Sequence, residues 1–339
     1  MNDDSSEDSA SSTTGGLAAF IVRILEQLSL SAWLPAGLLS ASVTLLVCFR
    51  QERSVNLVAA IGRITDNPWG IVLLAVPLLL VATMITQAFS YIAIRVLEGY
   101  WSRGGLVSVC RSLLIRCQLR RRSTLMKQRQ KAVENAFGLA RPKMLEAGWT
   151  RLVVMRFEQI ALGIDPDATG ERSIEEEQLS DEELRILKHA SWRTFCEPWR
   201  LARIDSLGNE YLRYPEPLRM MPTRLGNVLR ASEDTLEMTE GNLQSFVMRN
   251  KQLLPLRLQH DHDHYRTRLD MYAMFVFIGA FLAVLSPLML AWKVCDSWAI
   301  ATISGFFIVL CIAGYQAAIA SAEAYCGILK ELDRIVKSS

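Results

Sequence analysis

Residues 271–292 read MYAMFVFIGAFLAVLSPLMLAW, a stretch of 22 residues without a charge between Asp270 and Lys293. Crossing roughly 30 Å of hydrocarbon at about 1.5 Å per residue takes about 20 apolar residues, so one helix of this length spans a bilayer. Three more windows repeat the pattern: residues 27–49, 67–94 and 297–322 hold 23, 28 and 26 residues with no Asp, Glu, Lys or Arg. The alternative, a buried helix of a soluble core, rarely runs so far without a charge. Trp33, Trp69, Tyr100, Trp101, Trp292 and Trp298 mark the window edges, as an interfacial aromatic belt does. The fold class follows: an all-α integral membrane protein with four transmembrane helices in two hairpins. These flank a mainly helical cytoplasmic domain over residues 99–268.

The whole-chain numbers agree. Of 339 residues half are hydrophobic, 21% are charged, and mean hydropathy is +0.18, against roughly 25% charge in a soluble average. An ordinary soluble enzyme, a fibrous protein and a wholly disordered chain are excluded. Residues 1–16 carry four acids and no base, the reverse of a signal peptide's n-region, and read as a disordered acidic tail. Residues 17–27 read as a short helix leading into the first hairpin, 17–98. The second hairpin is 269–339, with a short C-terminal tail.

Orientation follows from the bases. From Gly99 to Val133 there are nine Lys and Arg and no acid, which places that side in the cytoplasm. The loops 50–67 and 293–297 then face out and both termini face in, in a bacterial inner membrane. The seven cysteines form no CxxC and no paired spacing, consistent with reduced thiols.

Within 99–268 the pattern is helical. Leu106, Val109, Cys110, Leu113, Leu114 and Cys117 recur at three and four, an amphipathic stripe expected to continue the second span, with a break at Gly104-Gly105. Residues 143–162 read as another helix. Ser180 with Glu183 signals a capping box opening a helix over 181–195. Three prolines make 211–222 extended.

The charge is polarised. Arg116, Arg120, Arg121, Arg122, Lys127 and Arg129 form a basic arm, while residues 165–183 hold nine acids and one base. The two can solvate or pair within one domain, and bases close to a span can bind anionic lipid. A helix continuing the span carries Arg120 to Lys131 some 35 Å from the bilayer, beyond a Debye length of about 8 Å. That favours a dissolved anion, with a nucleotide or short oligonucleotide the expected ligand.

The segment Tyr214 to Asp234, YPEPLRMMPTRLGNVLRASED, places Thr223 as helix cap before Arg224 and Leu225, with Leu225, Val228 and Leu229 on one apolar edge. Gly226 inside that helix points to close approach of another backbone. Arg230 can pair with Glu233 or Asp234. Two readings stand: a helix docked on the base of the bundle, or a ligand site using Arg224 and Arg230. The segment resembles the P-T-R-L-G-N-x-L-R-A-x-E-D motif of a broad family of uncharacterised bacterial multi-span membrane proteins. The family's layout is similar: two spans, a helical cytoplasmic region, the motif, then a final hairpin. The resemblance implies a fold and a topology and no reaction.

No P-loop, GxGxxG, GxSxG, HExxH or zinc ribbon occurs, and no cofactor or metal is expected. His260 and His264 share a helix face at i and i+4, without further ligands at suitable spacing. Charge-free spans argue against a coupled transporter, which keeps an intramembrane ionisable group. Thr83, Gln87, Ser90 and Tyr91 in the second span, and Tyr315 and Gln316 in the fourth, either bond between helices or line a wet path in an oligomer. Gly314, Ala318 and Ala322 form a small-xxx-small packing face.

Three function classes remain. The first is a homo-oligomeric membrane effector or channel, gated by an anionic ligand on its cytoplasmic domain. Its layout is similar to the transmembrane effectors of anti-phage defence. The second is a membrane-anchored scaffold that docks a cytoplasmic protein partner. The third, an enzyme acting on lipid, has only the membrane location behind it; the sequence reads as a non-enzyme.

Overall fold

The computed structural model describes residues 30–52, 55–56, 62, 68–101, 104–163, 179–236, 243–292, 294 and 296–338. The acidic tail 1–16, the helix expected at 17–27 and most of the acidic run 165–183 lie outside them. All regular structure among the described residues is helical, and four helices are long and apolar enough to cross a membrane. In chain order these are α1 (Leu30–Glu52), α2 (Pro68–Glu98), α9 (Leu256–Leu290) and α10 (Ser297–Ser338). Between them run α3 (Gly105–Glu146), α4 (Arg151–Leu162), α5 (Asp181–His189), α6 (Pro198–Tyr211), α7 (Arg224–Thr235) and α8 (Leu243–Asn250). The chain divides into two compact units. One is 1–111 with 221–339, and the other is 112–220. Helices α7 and α8 therefore belong with the four long helices, although they fall in the segment 99–268 between the expected spans.

In the first unit α9 packs against α10, α1 and α2. The α9–α10 pair is antiparallel. Ser286 Oγ lies 2.9 Å from Ser304 Oγ, and a Cβ on Gly279 would stand 3.0 Å from the Cys311 amide nitrogen and the Phe307 carbonyl oxygen. One on Gly314 would stand 3.4 Å from the Val276 nitrogen and 3.5 Å from the Tyr272 carbonyl oxygen. The small-residue face does pack closely: Gly314, Ala318 and Ala322 are buried. Leu46, Phe49, Ile278, Leu282, Leu290 and Phe307 fill the core between α1, α9 and α10.

Both long helices overrun the charge-free windows. α9 begins about four turns before residue 271 and α10 continues about four turns past residue 322. The overhangs stay helical because they bury a second core, Phe246, Leu254, Ile328 and Leu332, with α8 laid against them.

The second span does not run on into α3. α2 stops at Glu98, Gly99 takes φ +97° and Gly105 takes φ +58°, a backbone that side-chain-bearing residues resist. The expected distance of the basic arm from the bilayer assumed an unbroken helix, and this break removes that assumption. The stripe at 106–117 forms a helix as expected, but Leu106, Val109 and Leu113 stay exposed, as do Cys110 and Cys117.

In the unit 112–220 the helix expected over 143–162 is two helices. α3 ends at Glu146, Gly148 turns the chain at φ +86°, and Thr150 caps α4 by accepting from the Val153 amide at 3.4 Å. The helix expected over 181–195 closes early, with α5 ending at His189 and a 3₁₀ turn at Trp192–Phe195. Val133, Phe137, Ala140 and Met144 of α3 face Val153, Val154 and Phe157 of α4 and Ile204 of α6 in one core. Trp192 meets Phe137 edge-on at 5.4 Å.

Candidate functional site

The motif helix α7 is held by its N-terminus. Thr223 accepts the Gly226 amide at 3.0 Å and donates its own hydroxyl to the Glu98 carbonyl at 3.0 Å. The Tyr315 hydroxyl accepts the Arg224 and Leu225 amides at 3.1 and 3.3 Å. Three amides that no helical carbonyl can reach thus find partners. Asn227, 1% exposed, accepts the Met221 amide at 2.8 Å and pins the segment entering the helix. A Cβ on Gly226 would collide with the Glu98 carbonyl, 2.9 Å from its carbon, and one on Gly99 would stand 2.6 Å from Pro222 Cδ. Leu225 and Val228 are buried with Leu269, Ala318 and Ala322.

The docked-helix reading of the motif therefore matches the contacts. Arg230 reaches Glu233 at 2.8 Å. Burial works against its charge, but the Glu233 hydrogen bond and carboxylate outweigh that and hold the guanidinium above its ordinary value. Arg224 is half-buried at the start of the helix.

The basic arm separates into two groups. Arg121 pairs with Glu210 at 3.3 Å. Arg122 donates to the Tyr211 hydroxyl at 2.6 Å, its guanidinium 4.7 Å from that ring's centre. The Arg129 side chain lies on Gly208, where a Cβ would meet its Nε at 3.4 Å. These three hold α3 to α6. Arg116, Arg120, Lys127 and Lys131 are exposed. Spaced by four, seven and four on α3, they share one face and extend over roughly 22 Å of helix. Among the described residues no carboxylate stands within ion-pair distance of any of the four.

At the Lys131 end of that row lies a cleft of about 370 Å³ between α3 and α6. Gln128, Lys131 and Asn135 line one wall, and Trp199, Arg200 and Arg203 the other. Trp199 is 57% exposed, and the Arg200 guanidinium covers one side of its ring at 4.3 Å. Arg200 is also bound to Glu197 at 2.9 Å. That hydrogen bond holds the Glu197 carboxyl below the usual carboxylate range, so part of the Arg200 charge is already neutralised. Sequence reasoning passed over Pro198-Trp199-Arg200-Leu201-Ala202-Arg203. The available signal was an aromatic with a base four residues on, beside a proline that starts a helix.

The polar residues of the long helices fall on different faces. Thr83 is buried and donates back to the Leu79 carbonyl at 2.7 Å. Tyr315 is half-buried at the α7 docking point. Gln87 and Gln316 are exposed, and Tyr91 is exposed with Arg95 5.6 Å from its ring centre. Gln87 sits among exposed Met84, Ile85 and Phe89, and Gln316 near exposed Val309 and Ile312. The His260 and His264 rings stand 6.2 Å apart. Among the described residues no third histidine, cysteine or carboxylate joins them in a metal-sized group.

The chain matches no family model, no curated protein and no solved structure.

Proposed function

We propose that the chain is a multi-pass protein of a bacterial inner membrane, with its two pairs of long helices inserted as hairpins and both termini cytoplasmic. Copies assemble through the outward faces of α2 and α10 into a pore or membrane-disrupting effector. The unit 112–220 gates it by binding an anionic nucleotide or oligonucleotide. Anti-phage defence is the setting to which such a layout belongs, and that link is one of layout alone. The observation that carries the reading is the outward placement of Gln87 and Gln316 on otherwise apolar surfaces. An amide facing hydrocarbon without a partner costs several kcal/mol, so a second copy or a water-filled path is the stable surrounding. The bare stripe Leu106, Val109 and Leu113 also calls for cover. The row Arg116, Arg120, Lys127 and Lys131, with no carboxylate at ion-pair distance among the described residues, supports the anionic ligand.

Single-channel recording of the purified protein in a planar bilayer tests this. Discrete current steps are expected, lost or altered in the double variant Gln87→Leu, Gln316→Leu. The triple variant Arg116→Glu, Arg120→Glu, Lys127→Glu is expected to conduct but to lose its response to a short oligonucleotide. It avoids Arg121 and Arg122, which have structural partners. A bilayer that stays silent for the full chain and after removal of residues 112–220 would overturn the pore. The scaffold is the second reading. Leu212 and Leu218, 65% and 98% exposed on the unit 112–220, favour it, and a single soluble protein retained in stoichiometric amount would establish it.

A further inference from the structure

We infer that the cleft between α3 and α6 is a nucleotide site, with Trp199 as the platform for the base and Lys131 and Arg203 as the phosphate ligands. This rests on the ligand-binding part of the proposed function and gives it a location. The row along α3 is a run of exposed cations on one helix face. The cleft adds a concavity and an aromatic ring. Its volume of about 370 Å³ is at the small end of ligand pockets, roughly 300–1,000 Å³, which suits one nucleotide and not a large cofactor.

Three features give the cleft its chemistry. Trp199 leaves more than half its surface open, although a tryptophan is among the side chains most favourably buried. With Arg200 on one face of the indole and no other ring or cation against it among the described residues, the exposed ring can stack on a base, and such stacking accepts any base because each has a π-face. Arg200 is committed to Glu197 and Trp199, so Lys131 and Arg203 are the cations left to meet phosphate. Both are exposed, and neither has an acidic partner among the described residues. Gln128 and Asn135 put two amides on the same wall, each offering a donor and an acceptor to a base edge. Lys131 belongs to the cleft and to the row at once. Phosphates of a short oligonucleotide leaving the cleft would therefore pass Lys127, then Arg120 and Arg116.

Calorimetry on the full-length protein in detergent tests the site with three probes: ATP, the 5′-phosphorylated trinucleotide of adenylate, and inorganic tripolyphosphate. Trp199→Ala is expected to weaken ATP and trinucleotide about tenfold while leaving tripolyphosphate unchanged. Trp199→Phe, which keeps a ring, is expected to recover most of that loss. Lys131→Glu with Arg203→Glu is expected to weaken all three probes. Equal loss of nucleotide and tripolyphosphate in Trp199→Ala, or failure of Trp199→Phe to recover binding, would overturn the base platform. If Arg116→Glu, Arg120→Glu, Lys127→Glu abolishes nucleotide binding while the cleft variants bind normally, the cleft is wrong and the ligand-gated reading survives. No binding of ATP or trinucleotide to the unaltered protein tighter than about 1 mM would remove the site and the nucleotide ligand together.

Discussion

Two helices of this chain begin with the same local chemistry and end in different circumstances. α5 opens on Ser180, whose hydroxyl accepts the Glu183 amide at 3.4 Å while Glu183 accepts the Ser180 amide at 2.8 Å. α7 opens on Thr223, which accepts the Gly226 amide in the same way. The first cap is exposed, and among the described residues its hydrogen bond from outside the helix comes from the Thr150 hydroxyl on Glu183 at 2.6 Å. The second is seated in a socket made by the end of α2 and the side of α10. Its threonine is also a donor to Glu98, and its free amides are taken by Tyr315. A cap is written in four consecutive residues. What it plugs into is written elsewhere, and that decides what losing it costs.

The comparison can be broken at several points. Gly226→Ala is expected to do the most harm. The added methyl meets a backbone carbonyl of α2, which cannot rotate away, so the loss should reach or exceed the roughly 1–3 kcal/mol of an overpacked core. The variant should express poorly or melt well below the parent in detergent, and an unchanged melting temperature would show that the socket opens freely. Tyr315→Phe keeps the ring and removes the acceptor of two amides. A loss of about 1–3 kcal/mol is expected, read in the same melting experiment. An unshifted melting temperature with altered conductance would instead make Tyr315 a pore residue.

Ser180→Ala is expected to cost about 1 kcal/mol, with protease sensitivity confined to the neighbourhood of α5. This cap also titrates. The Thr150 hydroxyl, then the Ser180 amide, hold the Glu183 carboxyl below the usual carboxylate range. A depressed folded value gives stability that is complete above the unfolded value, about 4.3, and is lost as pH falls through the folded one. Protease protection of α5 should therefore fall in acid for the parent and depend less on pH in Glu183→Gln.

Much of this architecture was legible from local pattern. The four long apolar helices, both caps, the Arg230–Glu233 pair, the close approach at Gly226 and the small-residue face at Gly314 each leave a signal within a few residues of sequence. What was missed depends on distant partners or on backbone turns. The chain breaks at Gly99 where Pro222 lies against the glycine and Thr223 bonds the Glu98 carbonyl, and no window of the sequence contains both sides of that contact. Gly148 divides a segment whose side chains are compatible with one helix. Helices α9 and α10 overrun their apolar windows because charged faces on the overhangs hide an apolar seam for α8. In the candidate site, the sequence marks the basic arm but not its division. Arg121 and Arg122 differ from Arg116 and Arg120 only in which face of α3 meets Glu210 and Tyr211. The cleft was invisible because its two walls are some 70 residues apart.

The contact of Gly99 with Pro222 has a topological consequence. The polypeptide leaves the end of α2 and reaches the start of α7 at touching points, so the segment between is an excursion whose two ends lie together. Whatever occupies that excursion has its ends already brought together, and the entropy of closing it grows only slowly with its length. A segment of another size or fold can be exchanged there without straining the bundle. The same closeness couples the two ends: any displacement of Pro222 is felt at Gly99, so the end of α2 and the start of α7 move together.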